Sequence, residues 1–302
     1  MKEKLHHLAQ EIEGQLYDDK LWRSIYATDA SVYREMPLAV CYPKNENDLK
    51  KLIKFAKAQK TSLIPRTAGT SLAGQCVGDG IVVDVSKHFT KILNIDQEAK
   101  TVSLQPGVIR DDLNRVLKEY GLFFGPNTST SNRCMIGGMV GNNSSGTTSI
   151  KYGTTREKLV SLKTILSDGS EAEFKDISAE EFQEKLKLES LEGEIYRKIN
   201  GQLSSEENKK ELIEKFPPKS LHRRNTGYAI DELLYAEVFS KDSTEPLNLC
   251  KLLCGSEGTL AFTTEITLKL DDLQPPKAAM IAAHFDSIES CMQAVVPVMQ
   301  HS

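Results

Sequence analysis

No apolar run in this chain approaches the ~18 residues that a membrane span requires. No CxxC pair occurs among its six cysteines, Cys41, Cys76, Cys134, Cys250, Cys254 and Cys291. That spacing argues against a metal or iron–sulfur site built from this chain alone, and reads as buried, reduced thiols. Neither sign of charge dominates: 38 Lys and Arg stand against 42 Asp and Glu, for a net charge of −4. Without a basic field, neither nucleic acid nor an anionic membrane surface is expected as a partner. The N-terminus, MKEKLHHLAQEIEGQL, has no apolar core followed by small residues, so no secretory signal is read and the cytoplasm is the expected compartment. Two nucleotide fingerprints are also missing. G-x-G-x-x-G opening a helix directly after a strand does not occur, and neither does G-x-x-x-x-G-K-S/T.

What is present suffices for a full core: 302 residues, 39% of them hydrophobic. Residues 1–17 mix charge with Leu and Ile at helical spacing and read as one amphipathic helix. Residues 38–42 (LAVCY) read as a strand closed by Pro43. Asn45 then offers a cap to a helix over 46–59, whose apolar face is Leu49, Leu52, Ile53 and Ala56. With the extended segments 61–65 and 81–85 (IVVDV) this predicts a β–α–β unit. Residues 91–95 and 101–105 predict a hairpin, as do 159–166 and 171–174 around Ser167-Asp168-Gly169. Leu113, Val116, Leu117 and Tyr120 mark another helix, ended by Gly121. Residues 178–216 are helical in pattern, and 259–270 alternate as strands. Residues 279–285 (AMIAAHF) predict a strand, followed by a helix with an Asp286/Glu289 capping box. That C-terminal pattern reads as the beginning of a further domain, so the chain is expected to be part of a longer protein.

Two stretches carry the chemistry. Residues 65–76, PRTAGTSLAGQC, lie between two extended segments. Gly69 and Gly74 permit unusual backbone angles, and Thr67, Thr70 and Ser71 supply hydroxyls. Successive N–H groups in such a turn form a concavity suited to a diphosphate. Residues 126–153, PNTSTSNRCMIGGMVGNNSSGTTSIKYG, are too long and too polar for an idle connection in a compact domain. There the Gly137-Gly138 pair lets a backbone approach a flat ligand closely.

These two stretches and a third, GSEGTLAFTTEITLKL (255–270), occur in the same order in the FAD-linked oxidases, and the chain resembles that family over roughly residues 22–270. The wording ATDASVY (27–33) and RTAGTSLAGQ is most similar to a long bacterial branch. That branch resembles D-lactate and D-2-hydroxyglutarate dehydrogenases and is fused to an iron–sulfur region. The resemblance implies an α+β fold, the FAD-binding fold of vanillyl-alcohol oxidase and p-cresol methylhydroxylase. It implies an N-terminal helical segment over 1–35 and a FAD-binding domain over 36–270, in two subdomains of about 36–107 and 108–270. The start of a substrate or cap domain over 271–302 would follow.

Residue by residue, Thr67, Ala68, Gly69, Thr70 and Ser71, with Gln75 and Cys76, would wrap the FAD diphosphate. Pro126, Thr130, Gly137, Gly138, Asn143, Ser145 and Gly146 would line the remainder of the cofactor. Tyr152 and Gly153 would close that segment, and Gly258 and Ile266 would add late contacts. Some members tether FAD through a His in the first loop; Thr70 stands there in this chain, which implies non-covalent FAD. Oxidation of a 2-hydroxy acid further requires a carboxylate clamp, for which Arg133, Arg156, Arg223 and Arg224 are candidates. Arg223 and Arg224 open a segment that lies near the active site in the family. None of the six histidines stands at metal-ligand spacing beside a partner, so no metal site and no catalytic base is assigned. Electrons would pass to an iron–sulfur region or a quinone. A non-catalytic nucleotide-binding module and an NADPH-linked reductase of the same fold are the rival readings.

Overall fold

The computed structural model describes every residue except Lys219, His222, Arg223, Asn225, Thr226, Ala278 and Ser302. The chain opens with helix α1 (Lys2–Glu11), strand β1 (Gln15–Tyr17) and helix α2 (Lys20–Ile25). Then come β2 (Ala39–Tyr42), α3 (Glu46–Gln59), β3 (Leu63–Arg66) and β4 (Ile81–Asp84). The middle holds β5 (Ile92–Asp96), β6 (Thr101–Leu104), α4 (Arg110–Leu117), β7 (Leu122–Phe123), α5 (Ile136–Asn142), α6 (Ser149–Tyr152) and α7 (Thr155–Lys158). After it lie β8 (Leu159–Ile165), β9 (Glu171–Phe174), α8 (Ala179–Lys187), α9 (Leu191–Leu203), α10 (Glu206–Lys215) and α11 (Cys250–Leu253). The last elements are β10 (Phe262–Lys269), β11 (Asp271–Asp272) and α12 (Ile288–Met299).

Two larger sheets organise residues 1–272, and β7 pairs with β11 in a third, two-stranded one. The first runs β1-β2-β4-β3, with β2–β4 and β3–β4 parallel. The second runs β5-β6-β10-β8-β9 and is antiparallel throughout. Both predicted hairpins form, and the second turns on Gly169 at φ +88°. The subdomain boundary expected after residue 107 moves. The 92–104 hairpin pairs with β10 and so belongs to the second sheet, while the first sheet ends at Asp84. Ile165 and Phe262, from the second sheet, pack into the core under the first.

The helix predicted over 46–59 is α3. Asn45 Oδ1 accepts from Asp48 N at 3.0 Å, and Leu49, Leu52 and Ala56 are buried. The single helix expected over 1–17 stops at Glu11. The cause is a backbone approach: a Cβ on Gly14 would lie 2.1 Å from the Tyr42 carbonyl oxygen. From there the chain pairs as β1 along β2. Fully buried Asp48 fastens the turn, accepting from the backbone N–H groups of Glu13, Gly14 and Lys44, each at 2.9 Å.

Residues 273–302 form a separate unit. The strand expected over 279–285 is absent. Met280 and Ile281 are almost wholly exposed, and no described strand lies alongside to take the backbone hydrogen bonds. The predicted helix is α12, but its cap is Ser287, which accepts from Ser290 N, rather than Asp286. Five of the six cysteines are buried as free thiols; Cys291 is exposed. Among the described residues no helix is long and apolar enough to cross a membrane.

Removing the Asp48 carboxylate orphans three part-buried N–H donors at once. Asp48→Ala is expected to lower the unfolding free energy by about 3 kcal/mol in urea titrations. Exposed Glu13, whose one ion pair is at the surface, serves as the control, and Glu13→Ala should change it by less than about 0.5 kcal/mol.

Candidate functional site

The β3–β4 connection sets the first wall of the site. Parallel neighbours cannot be joined by a tight turn, so residues 67–80 must travel back along the sheet, and here they do so without a helix. Gly69 and Gly74 take φ +65° and +73°. A Cβ on Gly69 would meet the Arg66 guanidinium at 2.5 Å, so this turn admits little besides glycine. Ser71 donates to Gln75 Oε1 and closes the loop on itself. Among the described residues, the N–H groups of Ala68, Gly69, Thr70 and Ser71 donate to no backbone carbonyl. They are the open donors that an anion-binding turn needs.

The second wall is α5 with the segment before it. Residues 126–153, read as almost unpatterned, contain α5 and α6. Gly137 lies against Pro106, where a Cβ would come within 2.5 Å. A Cβ on Gly138 would stand 2.6 Å from Thr67 Oγ1, so the two glycine-rich stretches meet at this point.

The third wall is the turn 255–258. Gly255 N donates to Val140 O and Glu257 N to Gly141 O, each at 2.9 Å, which docks the turn on the end of α5. Gly255, Glu257 and Gly258 all have positive φ.

Together the three walls enclose a cavity of about 830 Å³. That lies within the range of small-molecule and cofactor sites. Thr67, Ala68, Gly69, Thr70 and Ser71 line it, as do Gln75 and Cys76. So do Thr130, Gly137, Gly138 and Gly258. Burial pushes the Cys76 thiol up to about 11, so it is not a nucleophile at neutral pH.

The other expected residues lie outside the lining, for reasons visible in the packing. Ile266 is fully buried in β10, with Leu104 and Leu162 as its strand partners. Tyr152 packs edge-on against Phe123. Gly153, at φ +76°, leads into the capping box of α7, in which Glu157 accepts from Thr154 N. The carbonyl of Pro126 accepts from Arg110, and Gly146 is pressed onto Asn127. Asn143 is a buried left-handed cap whose Oδ1 accepts from Arg156 N at 2.9 Å. Ser145 keeps a buried hydroxyl with no hydrogen-bond partner among the described residues.

Two of the candidate arginines are committed elsewhere. Arg156 donates to the carbonyls of Lys251, Cys254 and Gly227. Arg224 is buried and forms a two-pronged ion pair with Asp231, with Glu232 at 3.1 Å. Its guanidinium is thereby spent on the scaffold rather than offered to a substrate. Arg223 lies outside the described residues. Arg133 is exposed at the cavity edge.

Sequence reasoning missed Asp29, Glu257 and Thr263, all of which line the cavity. Burial pushes Asp29 up, but hydrogen bonds from Ser31, Ser71 and Cys76 outweigh it and hold the carboxyl below its ordinary value. Its position inside the ATDASVY wording was the available signal. Among the described residues no cluster of His, Cys, Asp and Glu could hold a metal.

This architecture of two sheets with a backbone-walled cavity is that of a mixed α/β flavin-binding fold. The family model described as "FAD binding domain" matches residues 37–175 of the chain. The chain is 35% identical over 292 residues to a D-2-hydroxyglutarate dehydrogenase of Pseudomonas putida, covering 95% of this chain and 28% of that protein. It is 34% identical over 140 residues to the mitochondrial D-lactate dehydrogenase (cytochrome) of Kluyveromyces lactis, covering 45% of this chain and 24% of the relative. The chain thus spans roughly a quarter of each of these two relatives. In fold it is similar to an alkyldihydroxyacetonephosphate synthase structure, with a TM-score of 0.60 at 19% identity, over 90% of this chain and 40% of that one.

A scaffold role for Arg224 has a direct readout. Arg224→Met strands two buried or half-buried carboxylates and is expected to cost about 3 kcal/mol of stability in denaturant titrations. A guanidinium kept only for ligand would leave the midpoint unchanged.

Proposed function

We propose that this chain holds FAD non-covalently in the 830 Å³ cavity, as part of a flavin-dependent dehydrogenase that oxidises a 2-hydroxy acid. D-2-hydroxyglutarate and D-lactate are the favoured substrate class, and the electrons leave FAD for a downstream acceptor. The carrying observation is the meeting of two glycine-rich segments over a row of open N–H donors. Those donors, at Ala68 to Ser71, would hold the diphosphate. Gly137 and Gly138 bring bare backbone against Pro106 and Thr67, where a Cβ would collide with them, and so let the two segments close on the cavity. When bound, FAD supplies the hydride acceptor. The names of the relatives support the substrate class.

What the chain's own residues contribute is binding and orientation. Thr70 has no ring nitrogen to offer as a covalent tether. Among the described residues neither His nor Lys lines the cavity, and its carboxylates are Asp29 and Glu257. Arg133 is the side chain best placed to meet an anionic substrate.

Purified residues 1–302 incubated with FAD should retain the yellow flavin through gel filtration and release it on denaturation. Gly138→Val should weaken binding at least about tenfold, because its side chain enters the space beside Thr67. Anaerobic D-2-hydroxyglutarate or D-lactate should bleach the bound flavin slowly. Failure to bind FAD, or flavin that stays attached after denaturation, would refute the binding mode. Bleaching by NADPH but by no 2-hydroxy acid would refute the substrate class.

A further inference from the structure

A chain of polar side chains crosses all three walls of the cavity, with Glu257 at its centre. Ser71 donates to Gln75 Oε1, and Gln75 Nε2 donates to Glu257 Oε1 at 3.3 Å. From the other side Asn142 Nδ2 donates to the same oxygen at 3.2 Å, and Ser144 donates to Asn142 Oδ1 at 3.2 Å. Oε1 therefore takes both amide donors, and Oε2 has no described partner. Glu257 is half-buried, lines the cavity, and sits at φ +53°, a conformation that costs a non-glycine residue about 1 kcal/mol. Between Gly255 and Gly258, an uncharged residue with no such side chain would meet the turn's demands more easily.

We propose that Glu257 is a positioning residue for the cofactor. Its Oε1 pins Gln75 and Asn142 on facing walls, and its Oε2 accepts a hydrogen bond from a hydroxyl or imide N–H of the flavin nucleotide. A carboxylate repels phosphate, so this end of the cavity takes the uncharged part of the ligand, and the diphosphate is directed to the open N–H groups at Ala68 to Ser71. The assignment rests on the FAD reading above.

The protonation of Glu257 supports the same geometry. Burial pushes its carboxyl up, and the amide donors of Asn142 and Gln75 pull it back only in part. No titratable group on α5 faces it. The first-loop wall brings Arg66 and Cys76, with Asp29 behind them, and Asp29 is held below its ordinary value. On its own turn the nearest group is the buried thiol of Cys254, raised to about 12. Arg133 and Cys134, whose thiol burial also raises, lie on the remaining wall. The carboxyl on these walls that titrates above its ordinary value is therefore that of Glu257. The charged form is the acceptor, so affinity for FAD is full above this pKa and falls as the pH drops through it.

The test is FAD affinity by flavin fluorescence across pH for the wild-type chain, Glu257→Gln and Gln75→Met, with melting temperatures measured without flavin. Glu257→Gln should melt like the wild type, bind FAD about tenfold more weakly at pH 8, and lose the pH dependence. Gln75→Met removes one of the donors that hold the carboxyl down, so its pH step should move upward. Equal affinity of Glu257→Gln and wild type at pH 8, or an unmoved step in Gln75→Met, would overturn the assignment while leaving the FAD reading intact. A wild-type chain that binds no FAD would overturn both.

Discussion

The site depends on one buried cation. The side chain of Arg156 reaches the carbonyls of Lys251 and Cys254 at 2.9 and 2.6 Å and of Gly227 at 3.3 Å, while its backbone N–H is taken by Asn143. A guanidinium withdrawn from water must fill its donors, and these carbonyls do so without a carboxylate. The result is that three segments far apart in sequence converge on one side chain. Gly255 has to be glycine because a Cβ there would stand 2.7 Å from the same guanidinium. The turn 255–258 can then lie on the end of α5, and the third wall of the cavity follows from that docking.

The walls themselves are largely main chain. Gly138 beside Thr67 and Gly137 beside Pro106 let strands of backbone approach where side chains would collide. The charges in the lining are few, and several are engaged. Arg66 donates to the Thr28 carbonyl and lies over the Tyr26 ring. Under the FAD reading, the diphosphate is met by fixed peptide dipoles more than by mobile cations. Such dipoles need little rearrangement when a ligand arrives and respond weakly to salt.

Much of this was legible in the sequence, at the level of segments. Asn45 and the Leu49–Leu52–Ala56 spacing announced α3, and β-branched content announced β4. The polar, glycine-rich composition of 65–76 and 126–153 marked the two stretches that build the cavity. What composition and resemblance could not supply was the side of each segment that faces inward. In β10 burial alternates, and Ile266 falls on the core face while Thr263 reaches the cavity. The resemblance placed Asn143 at the cofactor; in the fold it takes the left-handed position that ends α5, where asparagine serves as a cap when glycine is absent. Arg224 and Asp231 pair across a loop, and no periodicity reports a contact of that kind. The strand expected at 279–285 failed for a different reason: propensity names a conformation, but a strand exists only beside another.

The placement of β10 bears on how the molecule comes into being. It is the central strand of the five-stranded sheet, yet it is nearly the last part of the first unit to be made. During synthesis β5-β6 and β8-β9 form as separate hairpins, each presenting an unpaired inner edge, until Lys269 leaves the ribosome. More than a hundred and fifty residues separate Leu104 from its partner Ile266, so closing the sheet carries the slow, long-range entropy of a distant contact. The nascent protein is for that interval a pair of open edges, and the growing chain is where chaperone dependence and aggregation should concentrate.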